Sequence, residues 1–205
     1  FLAATTARFD LVVLPPLGSF GGSAGVGALQ ERYTLTREAF AGMFAHLAPR
    51  GLVAVTVWQE SPPRPLLRLL ATWRQVLEAA GVAEPAAHVA AVRSWGTTTL
   101  VLSRAPLTAA DSERLATFAR ARGFDPLLPA NGERERFNRV ADEGLFPAVD
   151  ALVAGRAGTL LAGYPFDVTP TRDDRPFFDH YLRWDRLGTV AATWGAARLP
   201  YLEIG

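Results

Sequence analysis

The chain has 205 residues, with Lys+Arg 21 against Asp+Glu 20 and no Cys. A formal net charge of +1 excludes a nucleic-acid binder that works by bulk charge, because such binding needs a cationic excess to displace phosphate counterions. All 21 cations are Arg, so Schiff-base and P-loop lysines are excluded, and the lack of Cys removes disulfides, thiolate nucleophiles and thiolate metal sites.

Residues 1–8 are too short and polar for a signal peptide and carry no basic n-region; with no initiating Met, the chain reads as a fragment or an excised domain. Phe9-Asp10-Leu11-Val12-Val13-Leu14 predicts a buried parallel strand, covered on both faces and stopped by Pro15-Pro16. Gly18, Gly21, Gly22, Gly25 and Gly27 then predict a loop. Thr36 is expected to cap a helix with Phe40, Met43, Phe44 and Leu47 on one face, and Pro49-Arg50-Gly51 to end it. Leu52-Val53-Ala54-Val55-Thr56-Val57-Trp58 reads as a second strand with cover on both faces. Strand, helix, strand forces a parallel pair with a right-handed crossover.

Pro62-Pro63-Arg64-Pro65 predicts a stiff turn into a helix over about 66–80, with Leu66, Leu69, Leu70, Trp73, Val76 and Leu77 as its apolar stripe and Gly81 as its stop. Strands over 89–94 and 97–103 flank Trp95-Gly96, a connection short enough to require a hairpin, so the sheet ends antiparallel. Thr108 starts a helix that runs through Leu115, Phe118 and Ala119 to Gly123. Beyond Pro126 come a charged loop over 131–136, a helix over 145–161 broken at Gly155 and Gly158, and a segment over 164–178 in which Pro165, Pro170 and Pro176 forbid regular helix. The longest apolar runs are strand-length, far short of the ~20 residues that cross a bilayer. His46, His88 and His180 stand far apart in sequence and suggest no His-rich metal site.

The fold class is α/β: two parallel strands followed by an antiparallel hairpin are the C-terminal half of a Rossmann-like methyltransferase sheet. Residues 1–125 form this partial domain, and 126–205 an irregular helical extension packed on it. Ligands of such sheets sit at the carboxyl ends of the strands. A nucleotide-binding Gly-rich turn and a ribose-binding acid do not precede Phe9, and the glycines over 18–27 do not open a helix in the fingerprint spacing.

The run from Phe9 to Leu14, continued by Gly18-Ser19-Phe20-Gly21 and Tyr33-Thr34-Leu35-Thr36, resembles the fourth-strand region of the spermidine synthase family. Leu47-Ala48-Pro49-Arg50-Gly51-Leu52 is similar to that family's entry to its fifth strand. With Arg93-Ser94-Trp95-Gly96-Thr97 and Asp173-Asp174-Arg175-Pro176-Phe177-Phe178, the resemblance extends to about Trp184. It is closest to the bacterial spermidine synthase-like domains fused to membrane-spanning segments.

The resemblance implies a transferase using S-adenosylmethionine or its decarboxylated form, with a small amine as substrate. It places this segment in the cytoplasm as a soluble domain of an integral membrane protein with flanking membrane helices. It also implies a cofactor-binding half upstream of Phe9, and an open fourth-strand edge that pairs with that half or with a second copy in a homodimer. Leu14, Pro15, Gly18 and Ser19 fall where the cofactor would lie. One departure matters: the family's strand-tip Asp, which helps deprotonate the attacking amine, is replaced by the neutral run Leu14-Pro15-Pro16-Leu17. Two readings follow, a transferase domain or a non-catalytic binding, regulatory or oligomerisation domain of a larger membrane-linked protein.

Asp173 and Asp174 are the carboxylates best placed for catalysis or amine binding; the alternative is that they cap a turn and pair with Arg172 and Arg175 to tie the tail to the body. Glu31, Tyr33 and Trp58 are the substrate-binding candidates, since all three fall near the carboxyl ends of strands. Trp58 equally suits a core position. His180 has no Ser or Cys nucleophile in an elbow motif beside it, so a hydrolase triad has no support, and no metal site is expected. Leu187 to Ile204 is apolar enough to pack on a partner or to lead toward a membrane segment.

Overall fold

Five strands form one sheet in the order β1-β2-β4-β3-β5, where β1 is Phe9–Leu17, β2 Leu47–Trp58, β3 Val89–Arg93, β4 Thr97–Ser103 and β5 Asp125–Leu128. A computed structural model describes residues 4–17, 28–129, 137–138 and 144–194. β1 and β2 are parallel, and the pairs β2–β4, β4–β3 and β3–β5 are antiparallel, so β3 runs in the direction of β1 and β2. The hairpin therefore folds back into the sheet, with its second strand beside β2. This is the α/β arrangement of the C-terminal half of a Rossmann-like methyltransferase sheet, extended at one edge by β5.

Prolines do not mark the ends that the sequence suggested: Pro15 and Pro16 do not stop β1, and Pro49, expected to end the first helix, lies inside β2. β1 continues through Pro15 and Pro16 to Leu17, and the ladder absorbs them in an irregularity, passing from Leu14↔Val55 to Leu17↔Val57. Pro is tolerated there because β1 is an edge strand whose outer amides have no partner to lose. β2 likewise starts at Leu47, before Pro49, and bulges before Leu52 takes up pairing with Leu11. A Cβ on Gly51 would stand 2.5 Å from the Phe9 carbonyl oxygen, so the bulge closes only around a glycine.

Helix α1 (Arg37–Ala45) is capped by Thr36, whose Oγ1 accepts the Ala39 N–H at 3.2 Å. Helix α2 (Pro65–Ala79) starts on a proline, which fits the first turn of a helix. Residues Pro65 to Trp73 of α2 are all buried, more of its circumference than a single apolar stripe predicts. Trp73 meets Phe40 of α1 edge to face at 5.7 Å. Helix α3 (Ala109–Arg122) has a full capping box between Thr108 and Asp111 and ends at Gly123 in the left-handed region, φ 64°.

The helical stretch beyond 144 breaks once. Helices α4 (Leu145–Val153) and α5 (Ala157–Gly163) are separated at Gly155 (φ 79°), while Gly158 lies inside α5. Arg74 of α2 donates to the carbonyls of Leu152 and Val153 at the end of α4, at 3.3 and 2.9 Å. Helix α6 is Leu187–Trp194. The charged loop over 131–136 and the apolar tail over 195–205 lie outside the described residues.

One core unites these elements. Val53, Val55 and Val57 of β2, Phe40 and Phe44 of α1, Leu69 and Trp73 of α2, and Phe166, Val168, Phe178 and Tyr181 of the proline-rich tail belong to a single buried cluster. Cover on both faces of β1 and β2 is not what the structure has. Val53, Val55 and Val57 are at most 1% exposed, whereas Leu11 and Val13 are 56% and 59% exposed. The run of apolar residues in β1 thus mimics a doubly covered strand although the described helices stand over one face. No helix among the described residues is long and apolar enough to cross a membrane.

Candidate functional site

In chain order α1 is the first α-helix after β1, preceded by a short 3-10 turn at Tyr33–Leu35, and α2 is the first after β2. Across those helix starts lies the segment over 164–181, which the prolines keep out of regular structure apart from one bridge, Arg172↔Arg175. Its backbone is stitched to the stretch before α1. Arg32 N–H donates to the Pro176 carbonyl at 2.7 Å and Arg37 N–H to the Thr171 carbonyl at 2.9 Å. Thr171 Oγ1 donates to the Leu35 carbonyl at 3.1 Å, and Arg32 pairs with Asp179 at 3.0 Å.

This docking brings Asp173 to Glu31 and Tyr33. Thr36 Oγ1 donates to Asp173 Oδ1 at 2.6 Å, and Asp173 N–H donates to Glu38 Oε2 at 3.2 Å. The phenol of Tyr33 donates to Glu31, and its pKa is raised above the ordinary value. The Glu31 charge is the largest cause, followed by partial desolvation, that hydrogen bond and the Asp173 charge. Partial burial opposes the charge of Glu38, but its own backbone N–H, Arg37 and the Asp173 N–H outweigh that and hold its carboxyl below the usual range. The result is an acidic, partly exposed face at the carboxyl end of the parallel pair. Such a face attracts an ammonium group. No three His, Asp or Glu side chains among the described residues come within reach of a common metal ion.

The remaining candidates fall apart in space. Trp58 closes β2 and is half-buried on the face opposite Val53, Val55 and Val57, so it does not share the surface of Glu31 and Tyr33. Asp174 lies 3.4 Å from Arg172, a pair within the tail itself. Leu14 and Pro15 are strand residues, and Gly18 and Ser19 lie outside the described residues. Leu14 has an apolar side chain, and Pro15 and Pro16 lack even an amide N–H. The described end of β1 therefore presents no group that fits a ribose or a sulfonium, and no catalytic step is derived through such a cofactor.

Sequence reading missed three participants. Thr36 was visible only as a cap, and Glu38 only as part of a helix opening. Arg68 sits inside the apolar run Leu66-Leu67-Arg68-Leu69-Leu70, and a lone cation in such a run was the available signal. It is 1% exposed, and its guanidinium donates to the carbonyls of Phe177, Phe178, Asp167 and His180 while lying 4.4 Å from the Tyr181 ring centroid.

Sheet order and element sequence thus define an α/β domain with a proline-rich tail folded across the starts of α1 and α2. The sequence matches no protein-family profile and no curated protein. Among solved structures, the chain is similar to one described as a probable spermidine synthase from Corynebacterium glutamicum ATCC 13032, with 19% identity and a TM-score of 0.41. The superposition covers 75% of this chain and 49% of that one, so the chain spans about half the length of that protein.

Proposed function

We propose that the chain is a spermidine synthase-like transferase domain whose described part binds the amine substrate. The observation that carries this reading is the convergence of Glu31, Tyr33 and Asp173 at the carboxyl end of the parallel strands. A cationic amine placed there gains from two carboxylates and a phenol, and the fixed tail holds these groups in one geometry. S-adenosylmethionine or its decarboxylated form would have to be held by residues other than the described end of β1, and would supply a carbon made electrophilic by the attached sulfonium. The part of this chain is to orient the amine nitrogen and lower the cost of holding its charge. No carboxylate stands at the tip of β1, so orientation is the larger share of that contribution.

Isothermal calorimetry with a linear diamine tests the reading. Millimolar or tighter binding that weakens about fivefold on Glu31→Gln, and again as salt is raised, is the expected result. Parallel titrations with S-adenosylmethionine, its decarboxylated form and the thioether product test the cofactor. Silence toward both amine and cofactor favours the second reading, an interaction domain that keeps the sheet without the chemistry. The open edge of β1 and the exposed Leu11 and Val13 are the surface that second reading would use.

A further inference from the structure

A second polar site lies on the other side of the same turn, and it has the opposite sign. A cavity of about 260 Å³ opens between the start of α2 and the tail, with Arg68, Asp167, Arg172, Asp174, Arg175 and His180 in its wall. Its size is just below the ~300 Å³ lower end of ordinary small-molecule pockets. Three guanidinium groups face two carboxylates, and both carboxylates are already engaged. Asp167 Oδ1 accepts the Thr169 N–H and hydroxyl at 2.9 and 2.5 Å and stands 3.7 Å from Arg68; Asp174 is 3.4 Å from Arg172.

Arg175 is left over. Its guanidinium makes no hydrogen bond or ion pair among the described residues. The turn also sets Arg172 and Arg175 directly opposite each other, closed by the Arg175 N–H to Arg172 carbonyl bond at 2.9 Å. Like charges opposed across a bridge are destabilising unless a counter-charge sits between them. Beneath them lies the buried guanidinium of Arg68, which donates to the carbonyls of Phe177, Phe178, Asp167 and His180. A concave wall of this kind concentrates positive potential in the cavity.

We infer that this cavity binds a phosphate-bearing small molecule. A phosphate monoester carries a charge of about −1.5 to −2 near neutral pH and matches the forked donors of arginine. The site is distinct from the proposed amine-binding face, since Glu31, Tyr33 and Asp173 do not line the cavity. Free phosphate and a phosphate ester share this chemistry, and the volume leaves room for the organic part of an ester.

Calorimetry of the full chain with inorganic phosphate and with glycerol 3-phosphate, at constant ionic strength set by chloride, tests the inference. Binding in the millimolar range or tighter is expected, weakened about fivefold or more by Arg175→Ala and partly recovered by Arg175→Lys, which keeps the charge but loses the fork. Arg175 is exposed in a turn, and unchanged melting of the variants confirms that the fold is intact. Tighter binding of glycerol 3-phosphate assigns an ester as the ligand; equal binding assigns free phosphate. No binding of either probe below about 10 mM, or binding that survives Arg175→Ala unchanged, overturns the proposal.

Discussion

Among the described residues two arginines are buried, and they are satisfied in different ways. Arg93 of β3 is 2% exposed and meets Asp125 of β5, itself 0% exposed, through both Nε and Nη2. The other oxygen of Asp125 accepts the N–H groups of Phe137 and Asn138, at 2.5 and 2.9 Å. The charge is closed within the sheet, and the remaining hydrogen bonds go to residues 137 and 138, including one from Arg93 to the Asn138 carbonyl at 3.0 Å. Arg68 instead donates to four backbone carbonyls, and the carboxylate of Asp167 lies 3.7 Å away. Arg93 therefore fastens one strand to another as a neutral unit. Arg68 fastens an irregular tail at the wall of a cavity.

Removing one partner of the neutral pair should cost most. Asp125→Ala leaves the Arg93 guanidinium buried in the sheet with no carboxylate, a loss of about 3–5 kcal/mol. For a chain of this size the melting temperature should fall by roughly 10 °C in a thermal scan. The double change Arg93→Met with Asp125→Leu should recover most of that loss, because an apolar pair needs no compensation. A double variant as unstable as Asp125→Ala would show that shape, not charge pairing, sets the requirement there.

Arg68→Met should cost less, about 2–4 kcal/mol, because the tail has an escape that the sheet lacks. Its four orphaned carbonyls can undock into water, giving up the burial of Phe178 and Tyr181 rather than staying unsatisfied. Limited proteolysis over 164–181 should accelerate in Arg68→Met and stay unchanged in Asp125→Ala under conditions where both remain folded. Equal cutting in the two variants would remove the distinction between them.

The second anchor of the tail is weaker still. Thr36→Ala loses both the cap of α1 and the contact to Asp173, for about 1–2 kcal/mol. Asp173→Asn keeps the cap and the turn, and should cost no more than about 1 kcal/mol by denaturant titration. Asp173→Asn falling as far as Thr36→Ala would mean that the tail contact, and not the cap, carries the stability.

The parts of this fold that follow from local periodicity were legible in the sequence, and those that depend on what stands opposite were not. Thr36, Thr108, Gly81 and Gly123 declare helix ends by chemistry that acts within one turn. The hairpin at Trp95-Gly96 is fixed by its length. The open face of Leu11 and Val13 could not be read, because an apolar run looks the same whether or not a second layer covers it. Pro15 and Pro49 misled for a related reason, since a proline ends a central strand but passes on an edge or at a bulge. β5 was missed because its four residues, Asp125–Leu128, carry no alternation long enough to count. At the candidate site, Glu31 and Tyr33 were found from their place near a strand end. Their meeting with Asp173 is a contact across more than a hundred residues that no spacing encodes.

The smallest effect follows from acid. Glu38 holds the Asp173 N–H and pairs with Arg37 at 2.7 Å, and its pKa is lowered in the fold. A carboxyl whose folded pKa lies below its unfolded value of about 4.3 contributes stability that is complete above that pH. The contribution is lost as pH falls through the folded pKa, because the neutral form no longer attracts the Arg37 cation and accepts the backbone amides less strongly. The side chain is about a third exposed, so solvent screens the effect and the stability change should be slight. An NMR titration of Glu38 reads it directly. The midpoint should lie below the ordinary glutamate value in the native chain and rise in Arg37→Ala, with a smaller rise in Arg68→Met if loosening the tail at its strong anchor also pulls the Asp173 amide away. No rise in Arg68→Met would show that the two anchors hold the tail independently, so that undocking at the cavity leaves the acidic face assembled.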